Sequence, residues 1–180
     1  MALKATIFKV DLGVSDMDRG HYGSYALTVA RHPSETDERM MIRILAFAFA
    51  AEEGLEFGGG VSTPDEPDLW RHSLTGEIEE WIDLGQPDPR RIQKACGRSR
   101  HVTVWCYGGP KAATWWQQQK DGLARHDNLR VLHVPAVQSA ALADLAGRGV
   151  SLQCNIQDGE AWVMRDALSV HVAPEAWFGA

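Results

Sequence analysis

PDEPDLWRHSLTGEIEEWIDLGQPDPRRIQKACGRSR, Pro64–Arg100, reads as a hairpin, a turn and a helix. Two apolar-patterned runs flank Thr75-Gly76, and a glycine after a small polar residue between such runs predicts a tight hairpin turn. With Thr75 and Gly76 as the central turn residues, Leu74 faces Glu77, His72 faces Glu79, and Asp68 falls directly opposite Asp83. A four-residue loop closed by Ser73 and Ile78 gives the same pairing. A slip of one residue would send Asp68 and Asp83 to opposite faces, because side chains alternate along a strand.

Opposed residues on an antiparallel pair have Cβ atoms roughly 4.5 to 5.5 Å apart, and like charges at that distance repel. Something must offset the Asp68–Asp83 repulsion, and a divalent cation that prefers carboxylate oxygens, Mg²⁺ or Mn²⁺, would do so. Glu79 shares the Asp83 face but lies four strand residues away, roughly 13 Å, too far to share the ion. His72 and Glu79 are expected to pair across the strands. Gly85 then ends the strand, Asp88 caps the next helix and Pro89 suits its first position. Ile92, Ala95, Cys96 and Ser99 form a small apolar face, while Arg91, Lys94 and Arg98 line another. That cationic stripe has two readings: a solvated helix face, or a set of positive charges beside the carboxylate pair.

Working outward, 180 residues with 44% hydrophobic and 23% charged content suit one domain spanning residues 1–180 with a full core. A net charge of −6 argues against an unspecific polyanion binder, although a local cationic stripe can still hold phosphate. Cys96, Cys106 and Cys154 lack metal-type spacing and are expected to be buried thiols in a reducing compartment. The opening residues alternate rather than forming a secretory apolar run, and no stretch reaches the roughly 20 apolar residues of a spanning helix. A cytoplasmic protein without a membrane segment is the expectation. The scattered histidines predict no zinc site, and no nucleophile motif is present.

Leu3 to Leu12 alternates and predicts a strand with one wet face, followed by a turn at Gly13 and Gly20 and a second strand from Tyr22 to Arg31. Asp11, Asp16 and Asp18 near that turn lack the spacing and closing Glu of a calcium loop. Ser34 to Ala51 is the strongest helix. Ser34 with Asp37 makes a capping-box variant, and Glu35, Asp37 and Glu38 complement the macrodipole. Met40, Met41, Ile44, Leu45, Ala48 and Phe49 make its apolar surface so wide that it must be largely enclosed. Glu35 and Glu38 are read as partners of Arg39 or Arg43.

Gly58-Gly59-Gly60 lacks the lysine and helix of a phosphate loop and reads as a flexible hairpin or an edge strand reaching Val61. Val102 to Tyr107 predicts a buried strand, Pro110 to Leu123 a helix, Leu129 to Val134 a strand, and Val137 to Ala146 a helix capped by Gly147. Of Trp115 and Trp116, about 100° apart on a helix, one at most can be central to a core. Ser151 to Gln157 and Ala161 to Arg165 form a hairpin around Asp158-Gly159 that should complete a sheet with the N-terminal strands.

MALKATI, LTVARHPSETDERMMIRILA, DEPDLW, WIDLGQPDPRRIQKAC, the WWQQ helix and LQCNIQDGEAW together resemble the YaeQ family of small bacterial proteins over nearly the whole chain. Two carboxylates on adjacent strands, the first after a proline, also resemble the PD-(D/E)xK nuclease-like superfamily. The resemblance implies an α/β (α+β) fold with a restriction-endonuclease-like αβββαβ core and an additional antiparallel sheet from the N- and C-terminal strands. It makes Pro67-Asp68 the PD element and Asp83-Leu84-Gly85 the second element, its lysine lost. In some branches the following helix supplies that lysine, which would make Lys94 the substitute. Glu35 would then approach Asp68 and Asp83 as a third acidic ligand of Mg²⁺ or Mn²⁺, with Glu79, Arg91 and Arg98 as accessories. Two functions follow: a metal-dependent phosphodiesterase acting on nucleic acid, with Asp68, Asp83 and Lys94 catalytic, or an inactive nuclease-fold module that binds nucleic acid or a protein partner.

Overall fold

Alternating and helical periods dominate the chain, and the structure, a computed structural model, turns them into four helices and eleven strands across the residues it describes, 4–60 and 63–179. In order these are β1 (Thr6–Asp16), β2 (His21–Arg31), α1 (Asp37–Ala50), β3 (Glu56–Phe57), β4 (Leu69–His72), β5 (Ile78–Leu84), α2 (Pro89–Arg98) and β6 (Ser99–Cys106). There follow α3 (Pro110–Leu123), β7 (Leu129–His133), α4 (Ala136–Ala143), β8 (Gly149–Gln157), β9 (Glu160–Arg165), β10 (Leu168–Val172) and β11 (Glu175–Phe178). The fold is mixed α/β with two sheets, ordered β10-β9-β8-β1-β2 and β11-β7-β6-β5-β4-β3. Contacts divide the chain into two units: residues up to Ala51 with Val137–Ala173, and Glu52–Ala136 with the residues from Pro174 onward.

In the first unit, β1 alternates as its sequence demands, burying Phe8, Val10, Leu12 and Val14. It pairs antiparallel with β2 without interruption, from Thr6 opposite Arg31 to Asp16 opposite His21. The predicted turn at Gly13 is therefore mid-strand, and the reversal falls at Met17–Gly20. Leu3, expected to open β1, and Val61, expected to end a strand, lie outside the described residues. Asp16 holds that reversal, accepting from the Asp18 and Arg19 N–H groups and pairing with the Arg19 side chain at 2.6 Å. The C-terminal hairpin turns at Asp158 and Gly159, both at positive φ, as expected. It joins the N-terminal strands through β8, which runs parallel to β1, so the added sheet is not purely antiparallel. No hairpin links β1 to β8, so no short loop dictates their direction.

Helix α1 buries every residue from Met40 to Ala48. Met41, Ile44, Leu45 and Ala48, with Leu142 of α4, meet Leu12, Cys154 and Val163 of the sheet around one small gap. Each of the larger side chains among these, Met, Ile, Leu and Val, contributes about 1.5 to 3 kcal/mol when removed from water. The helix starts later than its capping-box pattern predicts. Ser34 is committed to His32, through its N–H and its hydroxyl, and Thr36 is the N-cap, accepting from the Arg39 N–H at 3.1 Å. Helix α4 ends at Ala143, and Gly147 is not its cap: its φ is not left-handed and its backbone lies against Val150.

In the second unit, β5, β6 and β7 run parallel, while β3, β4 and β11 are antiparallel to their neighbours. Helices α2 and α3 cover one face. Trp81, Val102, Val104, Cys106, Leu129 and Val131 of the sheet pack with Ile92 and Ala95 of α2 and Ala112, Trp116 and Leu123 of α3. Trp116 is the core tryptophan of its pair, while Trp115 is half-buried and donates to Pro87 O at 3.1 Å. The last two strands, β10 and β11, were not legible in the sequence.

The cap assignment separates two hydroxyls two residues apart. Thr36→Ala should destabilise the protein by about 1 kcal/mol, whereas Ser34→Ala should stay within about 0.5 kcal/mol, both read from urea denaturation midpoints.

Candidate functional site

The β4–β5 hairpin reaches its register by a route the sequence did not show. Ser73 N–H donates to Glu77 O at 2.8 Å and Gly76 N–H to Ser73 O at 3.0 Å. The loop is Leu74-Thr75-Gly76, with Gly76 at φ 88°, not a two- or four-residue loop. His72 consequently lies opposite Ile78, and a bulge at Glu79 shifts the ladder so that Arg71 meets Glu80, Trp70 meets Trp81 and Leu69 meets Ile82. An odd loop and an extra residue offset each other. The expected His72–Glu79 pair does not form: His72 packs edge-on to Trp70 at 4.5 Å, and Glu79 reaches Arg100 at 3.3 Å.

The ladder stops at Leu69 and Ile82, one residue short of the two aspartates. Asp68 donates its N–H to Ile82 O at 3.1 Å and accepts the Leu84 N–H on Oδ2 at 3.0 Å, so it grips both neighbours of Asp83. Both aspartates are buried, Asp68 4% and Asp83 2% exposed. The glycine triplet forms a close-fitting cradle over this segment rather than a flexible edge. Gly58 N–H donates to Asp68 O, Gly60 N–H to Pro67 O and Gly59 N–H to the Glu66 carboxylate. Gly60 sits at φ +54°, and a Cβ there would come within 2.7 Å of Asp68 Oδ1.

A buried carboxylate needs a partner, and Asp83 has two. Trp81 Nε1 donates to Oδ2 at 3.0 Å, and Arg91 from the first turn of α2 takes both oxygens, Nε to Oδ2 at 2.9 Å and Nη2 to Oδ1 at 3.0 Å. The same guanidinium donates to Glu66 O at 2.8 Å and to Pro64 O. Arg91 thus ties α2, β5 and the 64–66 segment together. The other predicted cations spread out beside it. Lys94 meets Asp65 at 3.4 Å with both side chains mostly exposed, and Arg98 lies over the Trp81 ring at 5.4 Å. Arg90, Arg91, Lys94 and Arg98 line an open groove of about 210 Å³ with Trp81, Pro64, Asp65 and Ala95. Arg90, Trp81 and Asp65 escaped the sequence reading. Their signal was available only as closeness to the predicted stripe.

Glu35 belongs to the first unit. Its carboxylate receives Arg39 at 2.7 Å, the pairing that i,i+4 spacing suggests, and Arg43 at 2.6 Å, eight residues on and beyond helix spacing. Asp83 gives both oxygens to Arg91, and Asp68 gives Oδ2 to a backbone amide. Among the described residues no group of three His, Cys, Asp or Glu side chains is spaced to hold a metal ion. The side chains as they stand do not fit a divalent cation, and the charge compensation expected of one comes from Arg91.

Other reactive groups are quiet. Cys96, expected to be buried, is only half-buried; this partial burial pushes its thiol up to about 11, while full burial pushes those of Cys106 and Cys154 to about 12, so all three stay protonated near neutral pH. Burial also raises the Glu80 carboxyl, against the pull of His101, Arg71 and Arg130.

The family model described as YaeQ protein matches residues 1–174. A protein of Salmonella typhi, called uncharacterized protein YaeQ, is 44% identical over 98% of both chains, and one of Escherichia coli K12 with the same name is 42% identical over the same shares. The crystal structure of the YaeQ protein from Xanthomonas axonopodis pv. citri matches with a TM-score of 0.94 at 48% identity, covering 98% of this chain and 99% of that one. That of the YaeQ protein from Pseudomonas syringae matches with a TM-score of 0.91 at 34% identity, covering 98% and 97%. No helix among the described residues is long and apolar enough to cross a membrane.

Arg91 and Lys94, one turn apart, should behave very differently. Arg91→Ala leaves Asp83 buried without its counter-charge and should cost about 3 to 5 kcal/mol, with Arg91→Lys recovering only part because an ammonium cannot bind both oxygens in a plane. Lys94→Ala should change stability by less than about 1 kcal/mol, since its pair is exposed. Equal effects of the two alanine variants on urea unfolding would show that Arg91 is not the anchor. In the native protein all three thiols should resist iodoacetamide at neutral pH and alkylate on denaturation.

Proposed function

The chain belongs to the YaeQ family, and within it we propose that this protein is a binding module on a PD-(D/E)xK-like core that holds nucleic acid without cleaving it. The observation that carries this reading is the two-pronged Arg91–Asp83 pair beside a groove of further cations. A carboxylate that served catalysis would offer its oxygens to a metal or a water. Asp83 uses both to fasten α2, so the former PD region acts as a scaffold. Support for the core itself comes from the chain order α1, β3, β4, β5, α2, β6 and from Pro67-Asp68 lying beside Asp83.

Arg90, Lys94 and Arg98 are exposed at the groove, and α2 carries no acidic residue in its first turn. Guanidinium forks match phosphate oxygens in pairs. Trp81 is 2% exposed, so it supports the arginines as a floor and does not stack on bases. The site therefore reads phosphate and not sequence. It is a local exception to a chain of net charge −6, which restricts binding to this face.

The competing reading, a Mg²⁺- or Mn²⁺-dependent phosphodiesterase using Asp68, Asp83, Glu35 and Lys94, draws on the burial of the two aspartates side by side. It requires Arg91 to give up Asp83.

Labelled single- and double-stranded DNA and RNA, followed by fluorescence anisotropy at increasing salt, decide between them. Three phosphate contacts predict a slope of log K against log salt of about −2 to −3. The combined Arg90→Ala, Lys94→Ala and Arg98→Ala variant should lose that binding while remaining folded. No binding of any strand at low salt, or binding undiminished in the variant, ends the reading. Mn²⁺-dependent cleavage that disappears in Asp83→Asn would replace it with the enzyme.

A further inference from the structure

The outer face of the first sheet carries a row that neither the cationic groove nor the core uses. Ser15 lies opposite Tyr22 on β2 and beside Asn155 on β8. Asn155 lies opposite Trp162 on β9, and Trp162 opposite His171 on β10. Directly paired residues share a face, so Tyr22, Ser15, Asn155, Trp162 and His171 form one line across all five strands. Tyr22 is 64% and Trp162 37% exposed. Three strand spacings of about 4.8 Å separate Tyr22 from Trp162, a span of roughly 14 Å.

Between the two aromatic rings the floor is built of amides and hydroxyls. Gln153 lies across β1 over Gly13, where a Cβ would come within 2.1 Å of its Oε1. Its Nε2 donates to Ser15 Oγ at 3.2 Å and to Asn155 Oδ1 at 2.9 Å. Those two bonds fix both amides and leave the Gln153 carbonyl and the Asn155 amino group, an acceptor and a donor, for a ligand. Gln153, Gly13, Ser15, Tyr22 and Ser24 line an open groove of about 340 Å³. At the far end His171 stacks on Trp162 at 4.8 Å and is anchored to Glu160 at 2.6 Å, which braces the indole.

We infer that this face is a binding site for a short neutral oligosaccharide. Charge complementarity selects the ligand class. The row has no lysine or arginine, and its one imidazole, His171, is held by the Glu160 carboxylate, so a phosphate chain finds no counter-charge here. Sugar hydroxyls donate and accept at once, as the Gln153–Asn155 pair does, and the C–H face of a sugar ring packs on the electron-rich face of Tyr or Trp. Tyr22 and Trp162 stand too far apart for one ring, so the occupant is an oligomer.

The test is isothermal calorimetry of the full chain with cellotriose, maltotriose, mannotriose and N,N′,N″-triacetylchitotriose, with oligothymidine as the anionic comparison. At least one trisaccharide should bind saturably. Trp162→Ala and Gln153→Leu should each weaken it by about tenfold, the scale of one aromatic or polar contact, and Trp162→Phe should retain most of the affinity. The triple alanine variant of α2 should bind the sugar unchanged, which keeps this result separate from nucleic-acid binding. Failure of all four sugars, or sugar binding indifferent to both Trp162→Ala and Gln153→Leu, overturns the proposal. So does Trp162-dependent binding of oligothymidine in place of sugar.

Discussion

Burying the Asp83 carboxylate in the middle of a sheet carries a desolvation cost that the surrounding structure must answer. Arg91 answers it with two parallel hydrogen bonds, and Trp81 adds a third. Because Arg91 sits in the first turn of α2, the pair also sets how that helix lies on β5. Its remaining donors hold the backbone at Pro64 and Glu66, so the approach to Asp68 is set by the same side chain. One guanidinium thereby links a helix, a strand and a loop, and the exposed cations of α2 take their places around it.

The aspartates come together through compensation in the backbone. A three-residue loop alone would have displaced the hairpin by one residue and reversed the faces of everything beyond it. The bulge at Glu79 restores the alternation before Trp70 and Trp81 meet. The glycine triplet completes the arrangement, since its amides bond to a segment so close that side chains would collide with it. The Asp68–Asp83 neighbourhood is thus specified by a loop, a bulge and a cradle at once.

The two sheets put their polar residues to different uses. On the second, charges concentrate along α2 at the edge of an aromatic and aliphatic core. On the first, the groove around Gly13 is lined by uncharged side chains, with Tyr22 at its edge. A surface of fixed charge favours ionic ligands over a long range, while a neutral amide floor discriminates only at contact. The chemistry follows on the second sheet from the exposed residues of α2 and on the first from which strand residues point outward.

Much was legible in the sequence. Helical and alternating periods placed α1, α3, β6, β8 and the Asp158-Gly159 turn, because these depend on residues only a few positions apart. The stretch Pro64–Arg100 announced two acids and a cationic helix, and the Arg39 partner of Glu35 followed from helix spacing. What it could not declare was which cation would meet which acid. Lys94 and Arg91 are one turn apart on the same stripe, and only the packing angle of α2 decides that Arg91 reaches Asp83 while Lys94 stays with Asp65. The cap at Thr36, the direction of β8 against β1, the strands β10 and β11, and the line from Tyr22 to His171 likewise needed the folded chain. Each depends on a partner supplied by a distant segment or by a loop whose length alone sets register, and local pattern carries no record of either.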